Sequence, residues 1–476
     1  MSAPEAVVAS APRPLAEQAF SRAAGAAAVP GNAVRLLCDA RENYPAWLDA
    51  IAGARRHVHF ESYILHEDAV GERFLEAFAA KAREGVAVRL VYDWMGGIGH
   101  ASRRFWRRFR ERGVDVRCYN PPRLDEPLGW MSRDHRKCIV VDGEVAFVTG
   151  LCVGRMWEGD PARRLAPWRD TGVELRGPAV ADVARAFADT WVACGGELPE
   201  AAWASSEPLA PAGDVAVRVV AATPGTTGLF RLDQLVAALA RRRLWLTDAY
   251  YAGTSTYVQA LRAAAQDGVD VRLLVPGRGS DMRFMQAVSR AGYRPLLEGG
   301  IRVFEWNGPM IHAKTAVADA RWARVGSTNL NVASWLGNRE LDVVVEDEDF
   351  GRAMEQQYEK DLAGATEVVL NSRRRVRPAS ASEPPRTPRG HGSAGRAAAG
   401  ALRLGNALGA ALSPRKLHGH AERRVLVPAG LALIALALVA LLAPRAVGWP
   451  LGAFALWLGA SVLLRAVRVA KRPPRM

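Results

Sequence analysis

Cysteine is scarce. Five occur in 476 residues (Cys38, Cys118, Cys138, Cys152 and Cys194), an odd number, scattered, with no C-x-x-C pair. That excludes a disulfide framework and a thiolate zinc site, and it fits a reducing compartment. The N-terminus lacks a basic start followed by an apolar run, so it does not read as a signal peptide. Residues 1–33, rich in Ala, Pro and Ser, read instead as a disordered lead. Positive charge is missing from the body as well. The segment from Arg373 onward holds 18 Lys/Arg against two Asp/Glu; with a total of +14, the residues before it sum to −2. A protein that grips duplex nucleic acid along its surface needs a basic body, because phosphate contacts supply most of that affinity. No nucleic-acid partner is expected. The charge gathers around a C-terminal apolar segment, a pattern suited to an anionic membrane surface. Apolar residues are plentiful at 49%, enough for a full core in two or three domains or one large bilobed one.

What is present is a repeat. His135-Arg136-Lys137-Cys138-Ile139-Val140-Val141-Asp142 and His312-Ala313-Lys314-Thr315-Ala316-Val317-Ala318-Asp319 both read H-x-K-x4-D, 177 residues apart. On a β-strand, positions i and i+2 share a face, so each His projects with its Lys. The Asp stands at an odd offset and ends the apolar run; Asp142 and Asp319 complete the two motifs as turn or salt-bridge anchors. One such strand is an ordinary polar face. Two copies in matching surroundings place two imidazoles and two ammonium groups across a pseudo-twofold seam. A phosphodiester needs that set: one neutral imidazole to attack phosphorus, one imidazolium to protonate the leaving oxygen, and two cations to balance the phosphoryl oxygens.

The surroundings repeat too. The pattern predicts a strand at Val34–Leu37, a helix over Ala46–Arg55, a strand at His57–Tyr63, a helix over Glu72–Arg83 carrying Phe74, Leu75 and Phe78, and a strand at Val86–Val91. A helix over Phe105–Arg112 and a strand from Gly113 follow. Arg242–Tyr251 parallels Arg55–Tyr63, Gly268–Leu273 parallels Gly85–Leu90, and Gly300–Phe304 parallels Gly113–Arg117. Helices alternating with short apolar strands imply an α/β sheet. The expected division is residues 34–195 for the first half, 196–213 for a Pro/Ala/Ser-rich linker and 214–371 for the second half. His57, His59 and Glu61 share a strand face, read as polar packing with a metal site as the alternative.

Residues 372–424 read as a basic flexible tether, with an interfacial helix over 397–412 as the alternative. Two apolar runs of about 19 residues, interrupted at Pro444-Arg445, fill 425–465, each just long enough for a bilayer core. Arginines at 423 and 424 and the basic tail 466–476 flank them, which by the positive-inside rule puts both ends and the body in the cytoplasm. A transmembrane helical hairpin is expected; a shallow re-entrant hairpin is the competing form.

These residues resemble the phospholipase D superfamily, and 34–371 is similar to a bacterial cardiolipin synthase of the short type, without an N-terminal pair of membrane helices. Arg133–Lys137, Pro167-Trp168-Arg169-Asp170-Thr171, Gly326-Ser327-Thr328-Asn329-Leu330 and Glu340 carry the likeness beyond the two motifs. The resemblance implies a duplicated phospholipase D-like fold and a cofactor- and metal-free, two-step phosphatidyl transfer through a phosphohistidine. The implied donor is phosphatidylglycerol and the implied site is the cytoplasmic face of the inner membrane. The acceptor stays open: phosphatidylglycerol, phosphatidylethanolamine or another alcohol. By resemblance His135 attacks, His312 does acid/base work, Lys137 and Lys314 clamp the phosphoryl oxygens with Asn329 and Ser327, and Asp170 and Glu340 orient the imidazoles. One departure stands out. Cys152 replaces the Asn usual in relatives, and a thiol is a poor donor.

Overall fold

The computed structural model describes residues 15–122, 132–204, 209–370, 376–378 and scattered positions between 431 and 460. In the first half, β1 (Val29–Cys38), β2 (His57–Ser62), β3 (Ala87–Asp93), β4 (Asp115–Tyr119), β5 (Cys138–Val141), β6 (Val145–Thr149) and β7 (Thr171–Arg176) lie in the order β1-β7-β6-β5-β2-β3-β4. In the second, β8 (Val215–Ala222), β9 (Arg243–Thr247), β10 (Asp270–Pro276), β11 (Arg302–Trp306), β12 (Thr315–Ala318), β13 (Trp322–Gly326) and β14 (Glu340–Glu346) lie in the order β8-β14-β13-β12-β9-β10-β11. The orders match strand for strand, so the expected duplicated α/β fold is present. Two further strands, β15 (Ala365–Leu370) and β16 (Val376–Pro378), extend the outer edge. Because β1 pairs with both β7 and β8, the halves join edge to edge in one sixteen-stranded sheet rather than face to face.

The repeats noted in sequence have physical causes. β2, β3 and β4 run parallel, as do β9, β10 and β11, so each connection needs a covering helix. The helix Ala69–Arg83 buries Phe74, Leu75 and Phe78 completely. After it the chain turns through Gly85 at φ +88°, and Gly268 does the same at +90° in the second half. A left-handed residue between helix and strand favours glycine, which is why Gly-Val recurs. Asp142 and Asp319 also match, at φ +54° and +53°. Asp142 accepts the backbone amides of Arg55, Arg56 and His57; Asp319 accepts those of Arg241, Arg242 and Arg243. Each therefore anchors the start of the neighbouring strand, through backbone amides rather than a salt bridge, at the end of its motif strand remote from His and Lys. Burial alone would raise the Asp142 carboxyl, but the three amides hold it below its ordinary value.

Three expectations need correction. The lead is not featureless: Leu15–Ala24 is a helix and β1 begins at Val29. Its order comes from Arg218, fully buried, whose guanidinium donates to Glu17 Oε2 (2.8 Å), the Ser21 hydroxyl (2.9 Å) and the Ala26 carbonyl (2.6 Å). Glu346 Oε1 accepts from the same guanidinium at 2.9 Å, so the helix completes the enclosure of a cation already paired within the second half. The junction contains a turn at Glu200–Ala202 and buries Trp203. The tether opens with β16, which continues the sheet. Among the described residues no helix is long and apolar enough to cross a membrane. The hairpin expected over 425–465 lies mostly outside those residues, as does the interfacial helix at 397–412. Described positions inside the hairpin, among them Leu431, Ile434, Leu441 and Trp449, are helical with exposed side chains.

Asp142→Ala strands three amides, and we expect it to cost about 2–4 kcal/mol of stability, read as a lowered Tm. The folded carboxyl titrates below its unfolded value, so its contribution is present at neutral pH and is lost as pH falls through the folded pKa. The destabilisation relative to wild type should therefore shrink in strong acid.

Candidate active site

His135 and Lys137 lie not within a strand but in the extended stretch leading into β5; His312 and Lys314 stand likewise before β12. The seam explains this. His135 N donates to Arg339 O at 2.9 Å while Arg339 N donates to Arg133 O at 2.8 Å. In the other motif His312 N donates to Arg169 O at 2.7 Å, and Arg169 N to Met310 O at 2.9 Å. Each motif thus pairs its backbone with the opposite half, one residue ahead of that half's carboxylate.

Those carboxylates are Glu340 and Asp170, both fully buried. His135 Nδ1 lies 2.9 Å from Glu340 Oε2, and His312 Nδ1 lies 2.7 Å from Asp170 Oδ2. The connections cross: the first half's imidazole is held by the second half's acid, and the reverse. An ionised carboxylate accepts only, so Nδ1 carries the proton in both rings and the Nε2 lone pairs face the cleft. Burial raises Glu340 and Asp170, yet their imidazole partners and the lysines bring both below the ordinary carboxylate value.

The two Nε2 atoms differ in surroundings. Lys314 Nζ sits against the His312 ring, 2.9 Å from Nδ1 and 3.0 Å from Nε2. No protein donor meets His135 Nε2 among the described residues, and Lys137 Nζ instead donates to the His135 carbonyl at 2.6 Å. Burial lowers the His135 pKa, with Glu340 opposing and Lys137 adding to the shift. Burial and then Lys314 lower His312 to about 3. Both rings are neutral in the resting site at pH 7. Burial also lowers Lys314 to about 8, against the pull of Asp170. Lys314 acts on His135 and Lys137 on His312, so the two motifs share one electrostatic site.

Ser327 corrects an expectation. Its hydroxyl donates to Glu340 Oε2 at 2.6 Å and accepts from Leu341 N at 2.9 Å. A hydroxyl has one proton to give, so Ser327 positions Glu340 and has no donor left for phosphate. Asn329 is different: it is buried, its Oδ1 has no partner, and its amide nitrogen makes no hydrogen bond among the described residues. Cys152 is buried and lies in the fields of Lys137 and Lys314, which puts it at the site; burial nonetheless pushes its thiol up. His57 and His59 stack at 4.5 Å, and His59 stacks on Phe187 at 4.6 Å, so this face is packed.

Four aromatic residues complete the walls. Tyr63 packs edge-on against His135 at 5.0 Å under Lys137, and Tyr250 packs edge-on against His312 at 5.8 Å under Lys314. Trp157 and Trp168 flank His312 at 5.6 and 5.7 Å, and the Trp157 indole donates to Asp170 Oδ2 at 3.1 Å. The sequence analysis singled out Trp168 but passed over Trp157, Tyr63 and Tyr250. The tyrosines had a signal, since Tyr63 closes its aligned segment and Tyr250 stands one residue before the end of the other; Trp157 had none.

Comparison with known proteins follows the same outline. A family profile described as "Cardiolipin synthase, PLD-like domain" matches residues 47–152 and 236–362, which contain both motifs. The chain is 35% identical over 352 residues to cardiolipin synthase A of Pseudomonas aeruginosa, covering 73% of this chain and 70% of that one. It is 32% identical over 314 residues to the cardiolipin synthase of Alkalihalophilus pseudofirmus, covering 65% and 61%. Among solved structures, phosphatidylserine synthase of Haemophilus influenzae superposes with a TM-score of 0.58 at 12% identity, over 74% of this chain and 91% of that one, a likeness of fold.

Glu340→Gln and Asp170→Asn each keep the shape of the side chain but remove the charge that fixes its imidazole. Turnover should fall on the order of 10³–10⁴-fold in either, as when a catalytic histidine loses its carboxylate, while circular dichroism stays that of the wild type. A loss under ten-fold would overturn the crossed orientation.

Proposed function

We propose a two-step phosphatidyl transfer for this chain, which belongs to the cardiolipin synthase family of phospholipase D-like enzymes. The enzyme is a phosphatidyltransferase of phospholipids. In the proposed first step His135 Nε2 attacks the phosphorus of phosphatidylglycerol. The bond to the headgroup oxygen breaks. His312, having taken up a proton from solvent at Nε2 as the substrate anion binds, passes it to that oxygen, and glycerol leaves. A hydroxyl of a second phospholipid then attacks phosphatidyl-His135, His312 takes its proton, and cardiolipin departs with the His135 ring restored. Lys137, Lys314 and the Asn329 amide stabilise the phosphoryl oxygens as negative charge grows on them.

The observation that carries this assignment is the unequal occupancy of the two Nε2 atoms. His135 Nε2 meets no protein donor among the described residues, whereas Lys314 lies against the whole nitrogen edge of His312, 2.9 Å from Nδ1 and 3.0 Å from Nε2. A neutral, uncovered imidazole is the better nucleophile. The incoming phosphodiester anion draws Lys314 toward itself and offsets the cations that depress His312, so Asp170 can support an imidazolium once substrate is bound. Water competes for phosphatidyl-His135, and the aromatic walls, half-buried tyrosines and buried tryptophans, limit its access. The basic tether and the apolar segment 425–465 hold the body at the cytoplasmic face of the inner membrane, on the evidence of their flanking arginines.

Purified full-length protein with phosphatidylglycerol in detergent should yield cardiolipin and glycerol, and His135→Ala should abolish both; phosphatidic acid alone would make it a hydrolase. The dependence of kcat/KM on pH should be bell-shaped. The rising limb belongs to His135 and lies below pH 6.5, because the free-enzyme pKa is lowered. The falling limb belongs to Lys314 and lies near pH 8, where its charge is lost. Lys314→Arg keeps the charge, so it should move the falling limb above pH 9 even as it lowers the rate; an unmoved limb would assign it elsewhere.

A further inference from the structure

We infer that Tyr250 and Asp281 form a headgroup subsite on the His312 side of the cleft that takes hydroxyl-bearing alcohols. Its ligands are the glycerol that leaves and the headgroup of the lipid that enters. The inference rests on the transferase reading above.

The Tyr250 ring walls His312, and its hydroxyl lies 3.1 and 3.0 Å from the two carboxylate oxygens of Asp281. Asp281 itself is exposed, in the loop after β10, at the catalytic end of the sheet. A carboxylate has about four acceptor positions. The Tyr250 hydroxyl and the backbone amides of Met282 and of Asp281 itself fill part of that capacity, and an acceptor position remains. Asp281 lies in the field of Lys314 yet forms no ion pair among the described residues, so it is not simply that lysine's counter-ion. The matching place in the first half differs. Tyr63 packs on His135 as Tyr250 packs on His312, but no hydrogen bond to the Tyr63 hydroxyl occurs among the described residues.

The asymmetry falls where the chemistry asks for it. In an in-line displacement the leaving and entering oxygens occupy the same apical position, opposite the nucleophile and beside the proton shuttle. One subsite next to His312 therefore serves both alcohols. A carboxylate there accepts from the neighbouring hydroxyls of a glycerol headgroup and aims the reacting oxygen at His312. An alcohol without a second hydroxyl gains nothing from it.

The test captures phosphatidyl-enzyme, made by the full-length protein from phosphatidylglycerol, with equal concentrations of labelled glycerol and ethanol. The readout is the ratio of labelled phosphatidylglycerol to phosphatidylethanol. Asp281→Asn should lower the glycerol:ethanol ratio about ten-fold, the cost of one charge-assisted hydrogen bond, and Asp281→Glu should restore most of it. Asp281→Ser serves the same purpose should the amide variant not fold. A ratio within two-fold of wild type in these variants, or equal loss of both products, overturns the subsite. If wild-type protein forms neither product, the transferase reading fails instead.

Discussion

Two hydrogen bonds between a carboxylate and an imidazole, each crossing from one half of the molecule to the other, set the terms for everything else. Glu340 holds His135 and Asp170 holds His312, and neither half contains both partners of its own pair. The edge-to-edge sheet, the short parallel bridges at Arg169 and Arg339, and the anchoring of the motif strands by Asp142 and Asp319 all hold these two contacts in place. The carboxylates are fully buried, where an unpartnered one would cost several kcal/mol. The halves therefore cannot part without stranding both acids. The same contacts that align the catalytic rings weld the duplication into one unit.

Much of this was legible in the sequence because it follows from local rules. Alternation in extended chain put His and Lys on one side and the motif Asp at the far end, and the carboxylates of Asp142 and Asp319 do bind at that end. The recurrence of Gly-Val after a helix marked equivalent left-handed turns, and from them the duplication. Asp170 and Glu340 came from resemblance, since no spacing rule relates residues 142 and 205 positions from their partners.

What stayed hidden depends on long-range contact. The lead looked unstructured by composition, but Arg218, far along the chain, supplies the buried charge that its helix covers. The motifs read as strand interiors, yet the stretch carrying His and Lys leaves its ladder to pair across the seam. Ser327 stands in the right segment for phosphate, and only the direction of its hydroxyl, toward Glu340, removes it from that task. Trp157 supports Asp170 from a short helical turn with no pattern to mark it. In each case the residue type was readable and its partner was not.

The position of Lys314 has a consequence for what the site admits. At rest its ammonium group lies against the His312 ring, within about 3 Å of both nitrogens and so over the one that exchanges a proton. Only a negatively charged guest offers that cation a better place. A neutral glyceride, even one that fits the cleft, leaves the cation against the ring and the proton shuttle idle. Selectivity for charge is then built into the resting state, ahead of any contact with fatty chains or headgroup.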